Sequence, residues 1–200
     1  MESLKTTATR AAIMAAAMPV FVKRGIAHTR VEDLLVAAKL SRRTFYKYFT
    51  SKEAVVAALF EAATEQLVFA MEQARRGAPD VPLAGIRAGI DIYLQFHQVN
   101  GKVMREIIEL AMRGDSLLFP RRRWLRGELV RIFDESVTAL DGRKVDPLVY
   151  HALLSALDGM TLELEGTDPA GELARVRQIA HLLVDRVLGL PTTSELPLVA

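Results

Sequence analysis

The chain has 200 residues, half of them apolar and a quarter charged, a balance that suits a folded globular protein and excludes disordered, collagenous and low-complexity classes. It has no cysteine, which removes a disulfide scaffold, a thiol nucleophile and a thiolate metal site, and accords with a cytoplasmic location. The net charge of +2 hides an asymmetry: residues 1–52 hold ten Lys and Arg against three acids, and the rest holds sixteen against twenty-one, as expected of a nucleic-acid binder with a basic head and an acidic body.

Apolar residues recur at helical spacing almost throughout, with no alternating β-branched run, so the chain reads as all-α with about nine helices. A first helix is expected over 3–24, with Ile13, Ala17, Val20 and Phe21 on one stripe and Gly25 as its C-terminal cap. Pro19 removes a backbone donor inside it and predicts a kink or a shifted boundary. Thr29-Arg30-Val31-Glu32 has the form of a capping box opening a short helix over 31–38. After Lys39-Leu40-Ser41, Ser41 caps a second short helix over 42–48. Thr50-Ser51-Lys52-Glu53 reads as another capping box, starting a long helix that stops near Arg76, at Gly77 and Pro79. Further helices are expected over 82–99, 102–113, 120–140, 146–165 and 170–188. The breakers between them are Asn100-Gly101, Gly114-Asp115, Asp141-Gly142 and the stretch from Gly166 to Pro169. No apolar run reaches the ~18 residues of a membrane helix, so no membrane partner is expected. Residues 1–50 form one domain, 51–190 a second, and 191–200 a loose tail.

The two short helices and their turn have the spacing of a helix-turn-helix. Val31, Leu34, Leu35 and Ala38 give an apolar stripe that Leu40, Phe45 and Phe49 extend, and the first helix closes a three-helix head. Arg42, Arg43, Thr44, Tyr46, Lys47 and Tyr48 are left outside. Each suits a major groove: arginine can bond guanine bidentately, and threonine can meet a thymine methyl or a base edge. Tyrosine and lysine more naturally reach phosphates, which position the helix without reading sequence. Lys52 and the amides at the start of the long helix make a further anion site.

The stretch from Thr29 to Glu53, TRVEDLLVAAKLSRRTFYKYFTSKE, resembles the DNA-binding signature of the tetracycline-repressor (TetR) family of bacterial transcription regulators. The resemblance covers about a quarter of the chain; the remainder matches in length and helical plan. It implies a homodimer, each subunit carrying a three-helix head and a ligand-binding bundle. It places Thr29, Tyr46, Tyr48 and Lys52 at phosphate contacts and Arg42, Arg43 and Thr44 at base contacts, with Lys47 open to either. Lys39 stands where the family usually has Gly; if that position needs a positive φ, Lys39 is mildly strained there. Arg43 also stands where the family often has Gly, adding a long cation at the groove.

In the body, a sensing cavity needs apolar walls with a few polar groups. Candidate ligand residues are Tyr93, His97, Met104, Ile108, Phe119, Trp124, Glu128 and Phe133, for a small, largely apolar effector. Plain core packing competes for each, and His97 alone reads as a satisfied core or surface histidine. Arg121, Arg122, Arg123 and Arg126 oppose the dipole at a helix start. They read as a solvated face, an anion site or an interface. The last two helices have broad apolar faces, including Leu148, Leu153, Leu157, Leu182 and Val187, suited to a four-helix dimer interface. No cofactor or metal is expected. The four histidines show no metalloprotease spacing, and neither a phosphate loop nor a nucleophile elbow is present, so the chain is not expected to be an enzyme. Asp91, Glu106 and Glu109 read as solvated helix carboxylates. The reading is a ligand-responsive regulator, most simply a repressor, that binds a near-palindromic double-stranded operator. The alternative is a ligand-independent DNA-binding or architectural protein.

Overall fold

The computed structural model describes residues 4–77, 82–161 and 169–190. Among them the chain is all-α: α1 (Leu4–Arg24), α2 (Val31–Ala38), α3 (Arg42–Tyr48), α4 (Lys52–Arg76), α5 (Pro82–Met112), α6 (Phe119–Asp141), α7 (Pro147–Thr161) and α8 (Pro169–Val187). α5 is broken at Gly101, whose φ of 44° and ψ of −133° lie outside the helical region. Counting its two arms separately gives nine helical segments among the described residues. The expected stretch over 162–165, the breaker before Pro169 and the tail from 191 lie outside those residues.

The chain divides into two compact units, Met1–Thr64 with Lys102–Arg122, and Glu65–Gly101 with Arg123–Ala200. The first unit is built on α1, α2 and α3. α1 packs on α2 and α3; Ile13, Ala17 and Phe21 of α1 are buried, as are Leu34, Phe45 and Phe49. Removing a phenylalanine side chain from water contributes about 1.5–3 kcal/mol, so Phe21, Phe45 and Phe49 dominate this small core. α1 continues through Pro19 to Arg24. Pro19 and Ala15, the residue whose carbonyl loses its helical donor, both lie on the exposed face, where water can replace the bond.

Two of the expected caps shift by one residue. Arg30, not Thr29, is the N-cap of α2, and its amide donates to Asp33 at 2.9 Å. Thr29 is buried, and its hydroxyl donates back to the Gly25 carbonyl at 2.7 Å. Ser51, not Thr50, caps α4, accepting from the Ala54 amide at 3.2 Å. Ser41 caps α3 as its position suggests, accepting from the Thr44 amide at 3.1 Å. Lys39 ends α2 with φ 53°. Its amide and that of Leu40 close back onto Val36 and Leu35, the paired bonds that a left-handed residue makes possible.

The second unit buries Leu67, Met71, Ile86, Ile90, Leu94, Phe133, Tyr150, Leu154 and Val184. The Phe133 and Tyr150 rings stack at 6.5 Å between centroids. Burial, together with the Asp134 carboxylate, pushes the Tyr150 hydroxyl up to about 12. Glu72 gathers Arg75, Arg76 and Arg131 around one carboxylate. By length and composition alone α4 is apolar enough to cross a bilayer. Val55, Val56 and Phe60 of this helix are buried in one unit and Leu67 and Met71 in the other, while Phe69 is exposed.

Candidate nucleic-acid interface

α3 is seven residues long, about 10 Å at 1.5 Å per residue, short enough to enter a major groove end-on. Only Phe45 of this helix is buried. Arg42, Arg43, Tyr46 and Lys47 are exposed, and Thr44 and Tyr48 are half-buried. Six candidate contacts therefore sit on one short helix. Tyr46 combines two roles: its ring packs edge-on against Phe45 at 5.5 Å while nearly half of the residue stays exposed.

The helix is anchored at both ends. Arg42 forms an ion pair with Glu32 of α2, which ties the first residue of α3 to the neighbouring helix. The Thr44 hydroxyl lies 2.8 Å from that of Ser41. At the other end Arg10 of α1 donates to the Tyr48 carbonyl at 2.9 Å, and its guanidinium lies 4.5 Å above the Phe49 ring. A cation near a helix C-terminus is favoured by the dipole, and the stacked guanidinium adds a cation–π contact. Lys47 lies over the Tyr48 ring at 5.8 Å. The sequence does not single out Arg10, which lies outside the Thr29–Glu53 segment, and it offers Glu32 as a capping-box acid, not as the partner of Arg42.

Thr29 and Lys52 differ from the α3 set. Thr29 is buried. The Lys52 ammonium donates to three carbonyls, those of Ile26 at 2.8 Å, Ala27 at 3.2 Å and Thr29 at 2.8 Å.

The candidate ligand residues fall into both units. Met104, Ile108 and Phe119 belong to the first; Tyr93, His97, Trp124, Glu128 and Phe133 belong to the second. Tyr93, His97, Met104 and Phe133 are buried, while Trp124 is exposed. Glu128 pairs with Arg131 at 2.9 Å. In the first unit a cavity of about 230 Å³ is walled by Ile26, Val56, Leu110 and Leu118, with Glu53 and Arg113 among its polar residues. In the second, a groove of about 580 Å³ runs past Val130, Asp134, Lys144 and Tyr150. None of the eight candidates lines either space.

The second unit does bring polar groups together. Tyr93 donates to Asp158, Arg126 donates to the other oxygen of Asp158 at 3.0 Å, and Arg126 also reaches the His151 carbonyl and the Ser155 hydroxyl. His97 stacks on Tyr93 at 4.6 Å. It is 8% exposed, a core position. Burial lowers its pKa to about 4, although the Asp158 carboxylate pulls the other way. The imidazole is neutral at physiological pH.

The arginine cluster is not one solvated face. Arg126 ties α6 to α7, and Arg121 donates to the buried Thr64 hydroxyl at 2.7 Å and to the Glu61 carbonyl. Two of the carboxylates expected to be solvated are engaged. Asp91 pairs with Arg177 and His181, and Glu106 accepts from the Ile26 amide at 2.6 Å. Glu109 is exposed. No group of metal-binding side chains occurs among the described residues.

The sequence model of the family described as bacterial regulatory proteins, tetR family, matches residues 13–59, the span of the helix-turn-helix and its flanks. The chain is similar to the HTH-type transcriptional regulator EthR of Mycolicibacterium smegmatis, 37% identical over 83 residues, which is 42% of this chain and 38% of that one. It is similar over a longer span to the HTH-type transcriptional regulator TcmR of Streptomyces glaucescens, 29% identical over 154 residues, 71% of this chain and 64% of that one. The matched spans thus cover less than two thirds of either relative. Among solved structures, the fatty acid degradation regulator FadR of Bacillus halodurans superposes with a TM-score of 0.70 at 16% identity, covering 94% of this chain and 97% of that one. A TetR-family regulator from Pectobacterium atrosepticum gives 0.69 at 24% identity, over 96% and 100%. At these identities the structural likeness establishes the fold.

Proposed function

We propose that the chain is a member of the TetR family of bacterial regulatory proteins, whose sequence model it matches over residues 13–59, and that it is a ligand-responsive transcriptional repressor that binds a near-palindromic operator as a homodimer. The observation that carries the DNA-binding part is α3, a seven-residue helix with one buried side chain and six outward candidates. In this reading Arg43 and Thr44 meet base edges, and Arg42 does so from its seat beside Glu32. Tyr46, Lys47 and Tyr48 meet phosphates. The working division is a DNA-binding head over 1–50 and a ligand-binding and dimerisation region over 51–190.

A dimer places two copies of α3 on successive major grooves, ~34–36 Å apart. The surface offered for dimerisation is on α7 and α8, where Leu148 and Val187 are large apolar residues left exposed. An effector held in the bundle acts through α4, which runs on from the first unit into the second. The coupling between effector and operator is typically ~1–3 kcal/mol and must be reciprocal, so operator weakens effector binding as much as effector weakens operator binding. Of the candidate ligand residues, Tyr93 and His97 are the pair that the bundle holds together, beside the Arg126–Asp158 ion pair. The reading places this protein in the cytoplasm, without cofactor or enzymatic activity.

Sedimentation of the protein with and without duplex DNA tests this proposal. Two protomers per duplex are expected, with self-association abolished by charged substitutions at Leu148 and Val187. A monomer that binds duplex one to one contradicts it.

A further inference from the structure

The turn between α1 and α2 is gripped from two other helices. From α4, the Lys52 ammonium donates to the carbonyls of Ile26, Ala27 and Thr29. From the second arm of α5, the Glu106 carboxylate accepts from the Ile26 amide at 2.6 Å and lies against Gly25, where a Cβ would come within 3.1 Å of it. Gly25 has φ +77°, so glycine there serves both the left-handed turn and the close approach of Glu106. The Thr29 hydroxyl closes the turn onto the Gly25 carbonyl.

An ammonium has three N–H donors and no more. All three are matched here by carbonyl oxygens within 3.2 Å, so a phosphate could be met only by giving one of them up. We infer that Lys52 is a positioning residue for DNA binding, acting through the α1–α2 turn with Glu106 as its counterpart, and not a phosphate contact. The inference rests on the DNA-binding reading above. The path from Lys52 to the DNA is short. The turn leads directly into α2, and Glu32 of α2 holds Arg42 at the start of α3. Fixing the turn fixes α2, and α2 seats the first residue of the recognition helix.

The two roles differ in salt dependence. Each phosphate contact contributes ~0.9 to the slope of log affinity against log salt, whereas a positioning residue contributes nothing to it. The experiment is operator affinity across a salt series for wild type, Lys52→Met and Glu106→Ala, each shown by circular dichroism to be folded at the assay temperature. The DNA is the duplex enriched by selection from random sequence. The positioning role predicts that Lys52→Met loses about tenfold or more in affinity at every salt concentration, with the slope unchanged. Glu106→Ala, which removes an acid and no cation, shows the same parallel loss, and amide exchange at Ile26 accelerates in both variants. A slope reduced by ~0.9 for each lost contact overturns the inference in favour of a phosphate contact. Unchanged affinity in folded Lys52→Met overturns it in favour of a residue that only stabilises the fold. If Lys52→Met does not fold, Glu106→Ala decides: a parallel loss supports the grip and unchanged affinity refutes it. Should no duplex be enriched at all, the DNA-binding reading fails first, which separates the two failures.

Discussion

Replacing His97 by Gln should flatten the acid limb of the protein's stability curve. His97 sits in the second unit with its ring against Tyr93 and Phe96, near Asp158 and the arginine that Asp158 holds. Burial lowers its pKa from 6.5 to about 4. Between those values the unfolded chain binds a proton at this position and the folded chain does not, so stability falls as pH drops. The interval is about 2.5 units, and at ~1.36 kcal/mol per unit the loss approaches ~3 kcal/mol by pH 4. Above pH 6.5 the group contributes no pH dependence. Urea unfolding at closely spaced pH values gives the free energy directly. The wild-type curve minus the variant curve should be level above pH 6.5 and decline by ~3 kcal/mol toward pH 4. Subtraction cancels the remaining histidines and the carboxylates, which both proteins share. A difference curve that stays level through this window would refute the argument, because it would mean that the imidazole is solvated or finds a proton acceptor in the folded state.

Three further outcomes are expected from the same contacts. Phe45 is fully buried in the head, so Phe45→Ala should cost about 3–5 kcal/mol in denaturant unfolding; a cost under about 1 kcal/mol would show that the head is not closed around that ring. Arg43→Ala should lower affinity by ~1–3 kcal/mol and relax preference at one base pair, while Lys47→Ala, if it reaches phosphate, should weaken all sequences alike and reduce the salt slope by ~0.9 per contact. Identical behaviour of the two variants in a competition assay would remove the division between base and phosphate contacts. Hydrogen bonds from Arg75 and the neighbouring cations hold Glu72 down to about 2. Its stabilisation is therefore complete above pH 4.5 and is lost as pH falls toward 2, so Glu72→Gln should be less stable than wild type at pH 7 and converge on it in strong acid, as read by thermal unfolding.

The parts of the fold legible in the sequence are those set by local chemistry. The short helices α2 and α3 are bounded to the residue, because Ser41 caps a helix only on its C-terminal side and the apolar stripe cannot continue past Lys39. The positive φ at Lys39 is legible through the family resemblance, which has glycine at that place in the turn. The break at Gly101 is equally local. The expected caps at Thr29 and Thr50 are off by one residue because threonine, serine and a nearby acid satisfy the same pattern in adjacent registers. Only the tertiary setting decides between them, burying Thr29 and turning its hydroxyl onto Gly25.

The long-range polar contacts are not visible in the sequence. Arg10 and Tyr48 are 38 positions apart, Ile26 and Glu106 80 apart. No spacing rule joins such pairs, and the carboxylate of Glu106 looks like any other on a helix until the fold brings the turn against it. The arginines from 121 to 126 read as a group for the same reason. Their separate partners, Thr64 and Asp158, come from different units.

The central claim is that α3 reads a specific double-stranded site as part of a dimer. Selection from a random duplex library at fixed salt, with sequencing of the bound fraction, tests it most directly. The account predicts one enriched near-palindrome with half-sites about one helical turn apart, and loss of preference at a defined base pair with Arg43→Ala. Retention of all sequences alike, with affinity set by salt alone, would contradict it.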